Sequence, residues 1–216
     1  MDTLRAIDRY QTMKTPDAAR GPGRDRDRSD VPSRETLRRV RARDPEALAA
    51  LFEYGFDRIY GLAARMLGNR EQAQDVIQEV FLRVHRSAHR LDAEREPLPW
   101  LRQITVNLCR DLWRSAGARG DRQTVSLDEH ADLGATLPSD AAPTDAAVLA
   151  TERERLVQHA LGELPPQLRE VVLLRDYETL EHDQIAALVG ASGAAVRKRY
   201  SRALARLSEL LEGELR

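Results

Sequence analysis

Between Arg197 and Arg206 the chain carries Arg197, Lys198, Arg199, Arg202 and Arg206, with no acid among them. Arg197 and Ser201 are four residues apart, as are Lys198 and Arg202, so on a helix each pair shares a face. Guanidinium groups set out in this way match phosphates and the O6/N7 edge of guanine, and one bidentate arginine–guanine contact is worth about 1–3 kcal/mol of discrimination. No other cluster competes for chemistry. His85, His89, His130, His159 and His182 are scattered without metal-ligand spacing, and no glycine-rich phosphate loop occurs. The single cysteine, Cys109, lies in an apolar helical stretch and reads as a buried structural thiol. The expectation is a binding protein, not an enzyme, with no cofactor and no metal.

The residues around the cationic run say how it is held. LEHDQIAALV-GAS-GAAVRKRYSRALARL, from Leu180 to Leu207, reads as helix, turn and helix. Gly190 can end the first helix in a left-handed conformation, and Ser192 can cap the second. Ala186 supplies a small residue where two helices cross, and Val196 an apolar anchor beneath the cations. Such a unit lays its second helix in the major groove. Tyr200 is read as core rather than contact.

Upstream, the chain reads as all-α. Helix formers dominate, β-branched runs are nearly absent and aromatics reach only 5%. Residues 1–32 are expected to be a disordered extension, because GPGRDRDRSD alternates charge without an apolar face. A short helix through Leu37 and Val40 follows. Asp44-Pro45-Glu46 then marks a helix start, with Gly68 and Asn69 as the next stop and cap. Apolar stripes run through Leu48, Leu51, Phe52, Phe56 and Ile59, then through Ala73, Val76, Ile77, Val80, Phe81 and Val84. After a polar break at Ser87–Pro97, a stripe of Trp100, Leu101, Ile104, Leu108 and Leu112 completes a helical bundle over 33–116. Residues 117–146 lack periodicity. Their acids outnumber Arg119 and Arg122, which reads as a flexible acidic linker. A second helical module occupies 147–216, with Pro165-Pro166 as punctuation. Neither a signal peptide nor a membrane-spanning run is apparent, so a cytoplasmic location without membrane insertion is expected.

The formal net charge is −1. Proteins that hold DNA unaided are usually strongly basic, because phosphate neutralisation supplies much of their affinity. A local cationic helix in a nearly neutral chain implies a reader completed by a partner.

Three blocks in order resemble bacterial RNA polymerase sigma factors of the sigma-70 family, extracytoplasmic-function (ECF, group IV) class. They are DVIQEVFLRVHR at 75–86, PWLRQITVNLCRDLWRS at 99–115 and LPPQLREVVLLRDYETLEHDQIAALVGASGAAVRKRYSRAL at 164–204. The resemblance implies two small helical domains. Region 2 at 33–116 would bind core polymerase and read and open the −10 element, and region 4 at 147–216 would read the −35 element. It implies that Asp75, Gln78, Glu79 and Arg83 grip the clamp of the polymerase's largest subunit, with the flap of the second-largest as a further partner. It assigns Asn107, Arg110, Arg114 and Arg119 to −10 DNA, with Asn107 alternatively bonding within its own domain. Arg197, Lys198, Arg199, Ser201 and Arg202 fall to −35 DNA, Arg199 towards phosphate. Trp100 matches the family pattern too, although packing within the bundle is its expected role. The break at 87–96 corresponds to the loop that, in this class, captures a base swung out of the −10 stack. Control by an anti-sigma factor is implied as well. Ala195 departs from the threonine usual there. The alternative is a stand-alone helix-turn-helix transcriptional regulator, which would need a sensor module that these helices do not suggest.

Overall fold

The structure is a computed structural model that describes residues 31–118 and 155–214. The expected N-terminal extension, Arg119, most of the acidic linker and the first residues of the second module lie outside the described residues. Contacts divide the chain into two compact units, residues 31–118 falling in one and 155–214 in the other. Both are helical, and no strand occurs among the described residues. None of the described helices is long and apolar enough to cross a membrane.

The first unit contains α1 (Arg34–Arg41), α2 (Pro45–Leu67), α3 (Arg70–Ser87), a 3-10 turn (Ala88–Arg90) and α4 (Leu98–Ala118). Its helix starts follow local chemistry. The Ser33 hydroxyl accepts the Thr36 N–H at 3.1 Å, Asp44 accepts that of Ala47 at 3.0 Å and Asn69 that of Gln72 at 2.9 Å. Each satisfies a donor that the first helical turn leaves open. Gly68 ends α2 with φ 64°, a left-handed conformation that glycine takes without a Cβ clash. Helix α2 packs against α1, α3 and α4, and α3 also packs against α4. Leu51, Ile59, Met66 and Leu101 are fully buried where they meet.

Cys109 is buried as expected, but two apolar assignments change. Leu112 is exposed, whereas Thr105 and Val106 are in the core. Helix α4 contacts both α2 and α3, so it buries a wider arc than one stripe. Thr105 joins that arc because its hydroxyl donates to the Leu101 carbonyl at 2.9 Å, which removes the cost of burying it. Phe52, counted with the core, is 36% exposed.

The second unit contains α5 (155–162), α6 (Pro166–Val172), a π-helical turn (Leu173–Tyr177), α7 (His182–Val189) and α8 (Gly193–Glu214). Helix α6 packs along α8, and α7 against α8, around Leu161, Leu164, Leu173, Leu174, Ile185 and Leu207. Arg169 is buried on α6, where its guanidinium donates to the carbonyls of Gly162 and Leu164. It thereby satisfies the end of α5 across the Pro165-Pro166 corner. Burial pushes the Arg169 guanidinium down to about 10. After Val172 the helix widens into the π turn. The segment after it is pinned by Arg175 Nη1 donating to the Leu180 carbonyl at 2.9 Å and by the Leu180 N–H donating to Leu174 at 3.0 Å. Thr179 sits there at φ 54°, uncommon for a β-branched residue.

Candidate nucleic-acid interface

Helix α8 owes its position to its apolar side. Val196, Ala203 and Leu207 are fully buried against the rest of the unit, beside Ile185 and Ala186 of α7. Gly190 closes α7 at φ 66°, and the Ser192 hydroxyl accepts the Ala195 N–H at 3.2 Å. Both turn residues therefore do what their types suggest. At about 100° per residue, Arg197, Lys198, Ser201 and Arg202 span an arc of roughly 140° away from that core. All four are exposed, and Arg199 is half-buried at the flank. Acids leave Lys198 and Arg202 unpaired among the described residues, while Arg197 Nη1 lies 3.9 Å from Asp183 Oδ1. Tyr200 is half-buried, and its hydroxyl donates to Asp176 Oδ1 at 3.1 Å. Burial, with Asp176 beside it, pushes that phenol well above the ordinary tyrosine range, so the hydroxyl stays a donor.

In the first unit Asp75 and Gln78 are exposed and Glu79 and Arg83 half-buried, on the side of α3 opposite Ala73, Val76, Ile77, Val80 and Val84. Glu79 Oε1 accepts from Arg83 Nε at 3.0 Å. Leu82 stands 51% exposed within this charged face, a feature the charge pattern hid. On α4, Asn107 is exposed and its Oδ1 accepts from Gln103 Nε2 at 3.3 Å, so it bonds within its own helix. Arg114 is exposed and paired with Asp111, and Arg110 is half-buried. Trp100 is half-buried. Phe52 stacks on Phe56 with ring centroids 5.2 Å apart and meets Phe81 at a tilt with centroids 3.6 Å apart, forming an aromatic ridge on α2 and α3.

Residues 51–119 match the family described as Sigma-70 region 2, and residues 154–207 match Sigma-70, region 4. The RNA polymerase sigma factor CarQ of Myxococcus xanthus is 34% identical over 181 residues, covering 83% of this chain and 97% of CarQ. The chain belongs to the sigma-70 family. Within that family its class is extracytoplasmic-function, since the ECF sigma factor SigK of Mycobacterium sp. (strain KMS) is 30% identical over 76% of this chain and 82% of that protein. A probable sigma factor RfaY of Xanthomonas campestris is 41% identical over 142 residues, 65% of this chain, but the match spans only 34% of that protein. Among solved structures, CnrH in complex with the cytosolic domain of CnrY aligns with a TM-score of 0.55 and 25% identity, over 84% of this chain and 97% of that one. The sigma-factor match thus falls on the two units that carry the cationic arc of α8 and the polar face of α3.

The residues that sequence reasoning missed are those whose partners are distant along the chain. Glu94 and Glu96, in the segment between α3 and α4, pair with Arg34 and Arg38 of α1 and with Tyr54 of α2. Arg169 and Glu170 are buried charged residues to which the sequence assigned no role. Only the density of charge near 94–96 could have drawn attention to the first group.

Proposed function

We propose that this chain is a sigma factor that binds core RNA polymerase and directs promoter-specific transcription initiation, under the control of an anti-sigma factor. The observation that carries the reading is the exposed cationic arc of α8, anchored by Val196 from beneath, in a chain whose family initiates transcription. Arg197, Lys198, Ser201 and Arg202 would face base edges of the −35 element and Arg199 a phosphate. Asn107, Arg110, Arg114 and Arg119 would lie along the −10 element. Asp75, Gln78, Glu79 and Arg83, with Leu82 among them, would meet the clamp of the largest subunit, and the second unit would meet the flap of the second-largest. Residues 33–116 and 147–216 would be the two readers, joined by 117–146. The solved relative CnrH is held by the cytosolic domain of CnrY, and a comparable inhibitory partner would silence this chain in the cytoplasm. It would carry out no reaction of its own, the chemistry remaining with the polymerase.

The decisive assay is abortive transcription from promoters selected out of a random library by core polymerase plus this chain. Start-site selection should require both components and should fall when Glu79 is changed to Arg or Arg202 to Ala. Binding of the same promoters by the free chain, as tight as in the presence of core, would instead favour a stand-alone regulator.

A further inference from the structure

The segment between α3 and α4 is held from several sides. Ala88, Leu91, Ala93 and Pro97 are buried and fix its path. Its three acids are all committed to protein donors. Glu94 lies 3.1 Å from Arg34 Nη1 through one carboxylate oxygen, and accepts from Arg38 Nη2 at 2.9 Å through the other. Glu96 Oε1 accepts the Tyr54 hydroxyl at 2.9 Å. Asp92 accepts the Glu94 N–H at 3.0 Å and pairs with Arg95 Nε at 3.2 Å. Burial, and then Glu96 itself, pushes the Tyr54 phenol well above its ordinary range, so it remains a donor to Glu96. Arg58 lies over the Tyr54 ring, 5.7 Å from its centre. Two consequences follow. Glu94 is drawn onto α1, where two arginines partly neutralise it, and Glu96 onto α2, while His89 and Arg90 are left exposed on the adjoining turn. A loop tied in this way has also given up its conformational entropy before any nucleotide arrives.

We propose that Glu94 and Glu96 are positioning residues for promoter opening: the arginine pair of α1 and the tyrosine of α2 fix this loop in the shape that receives an unstacked base. The proposal rests on reading the first unit as the −10 reader. It acts through pre-organisation, so its effect belongs to the step in which the base leaves the stack, which costs a few kcal/mol in duplex and much less where the strands are already apart.

The test uses holoenzyme on one selected promoter in two forms, full duplex and with a non-complementary −10 segment. On duplex, Tyr54→Phe and Glu96→Ala should each slow open-complex formation about five- to tenfold, the size expected from one ordinary side-chain hydrogen bond near the surface. The double variant should be no slower than either single one. Glu96→Gln, which keeps an acceptor for the Tyr54 hydroxyl, should recover most of the rate. Glu94→Gln should be slowed on duplex by a smaller factor, because its pairs are more exposed. On the pre-opened template every variant should come within about twofold of wild type, as expected if the deficit lies in extruding the base. Equal deficits on both templates, or additive losses in the double variant, would overturn the proposal. If wild-type holoenzyme gives no promoter-dependent transcript, the reading beneath it falls instead.

Discussion

Gly55 offers the sharpest test of how the first unit is assembled. It is buried on α2, where a Cβ would stand 2.6 Å from Leu101 Cδ1 and 4.0 Å from Leu101 Cγ. Real carbon contacts do not come that close, and Leu101 is itself fully buried. In Gly55→Ala the leucine methyl must therefore retreat by about 1 Å inside a packed core. Overpacking of this kind costs about 1–3 kcal/mol. Replacing a mid-helix glycine returns about 1 kcal/mol of helix propensity. The net expectation is about 1 kcal/mol of destabilisation, which lowers the melting temperature of a domain this size by about 4–8 °C. Both tryptophans of the chain, Trp100 and Trp113, lie on α4, so their fluorescence reports unfolding of this unit alone. Leu101→Val should cost roughly 1 kcal/mol through the cavity it leaves. In the double variant, however, the new methyl enters that space and the two costs should not add. Strict additivity, or a Gly55→Ala variant as stable as wild type, would refute the close α2–α4 approach.

Three further outcomes are expected. Asp44 is held below its ordinary value first by the Ala47 N–H and then by Arg39, so its carboxylate contributes stability above the unfolded value and loses it as pH falls. The stability gap between wild type and Asp44→Ala, measured by tryptophan fluorescence, should thus be complete at about pH 5 and shrink towards pH 3; a gap independent of pH would contradict the cap. Arg169→Lys should destabilise the second unit by about 2–4 kcal/mol, because the Gly162 and Leu164 carbonyls are both served from Nη2 at the tip of the guanidinium, and a compact, strongly hydrated ammonium costs more to bury there. It should do so in a far-UV melt while the tryptophan-reported transition stays in place. In holoenzyme, Arg202→Ala should relax preference at one −35 base pair, whereas Arg199→Ala should weaken all promoters alike and reduce the log–log salt slope by about 0.9; the reverse pattern would exchange their roles.

How much of this was legible in the sequence depends on how far apart the interacting residues lie. Asp44, Asn69 and Ser192 cap helices through N–H groups three residues on, and Gly68 and Gly190 end helices through their own backbone. Such chemistry is complete within a short stretch, so residue type suffices. The cationic arc of α8 was equally readable, because helical periodicity alone puts Lys198 and Arg202 opposite Val196 and Ala203. The phase of α4 was not. Thr105 looks polar until its bond to the Leu101 carbonyl is seen, and Leu112 looks apolar although it is exposed. The fastening of the 88–97 segment was hidden for a different reason. Glu94 and Glu96 read as solvated acids, and nothing local links them to Arg38 or Tyr54, 56 and 42 residues away. Arg169 gives no local sign of its burial either, since a buried arginine is rare and its place is explained by the Gly162 and Leu164 carbonyls that it serves.

The distribution of charge makes a physical case for a reader that does not work alone. Of the cations on α8, Arg197 has Asp183 nearby and Arg206 is paired with Glu209 at 2.8 Å, while Lys198 and Arg202 keep their full charge for a ligand. Both pairs are well exposed, so each is worth little and can open. Even if Arg197, Lys198, Arg199 and Arg202 each neutralised a phosphate, the salt slope would reach only about −4, against about −10 for a repressor that binds its operator unaided. With a net charge of −1, the rest of the chain adds no long-range attraction to offset this. Promoter affinity must therefore come from joining several weak interfaces on one large partner, which turns later contacts into intramolecular ones. The polar face of α3, with Leu82 exposed at its middle, is suited to supplying the first of those interfaces.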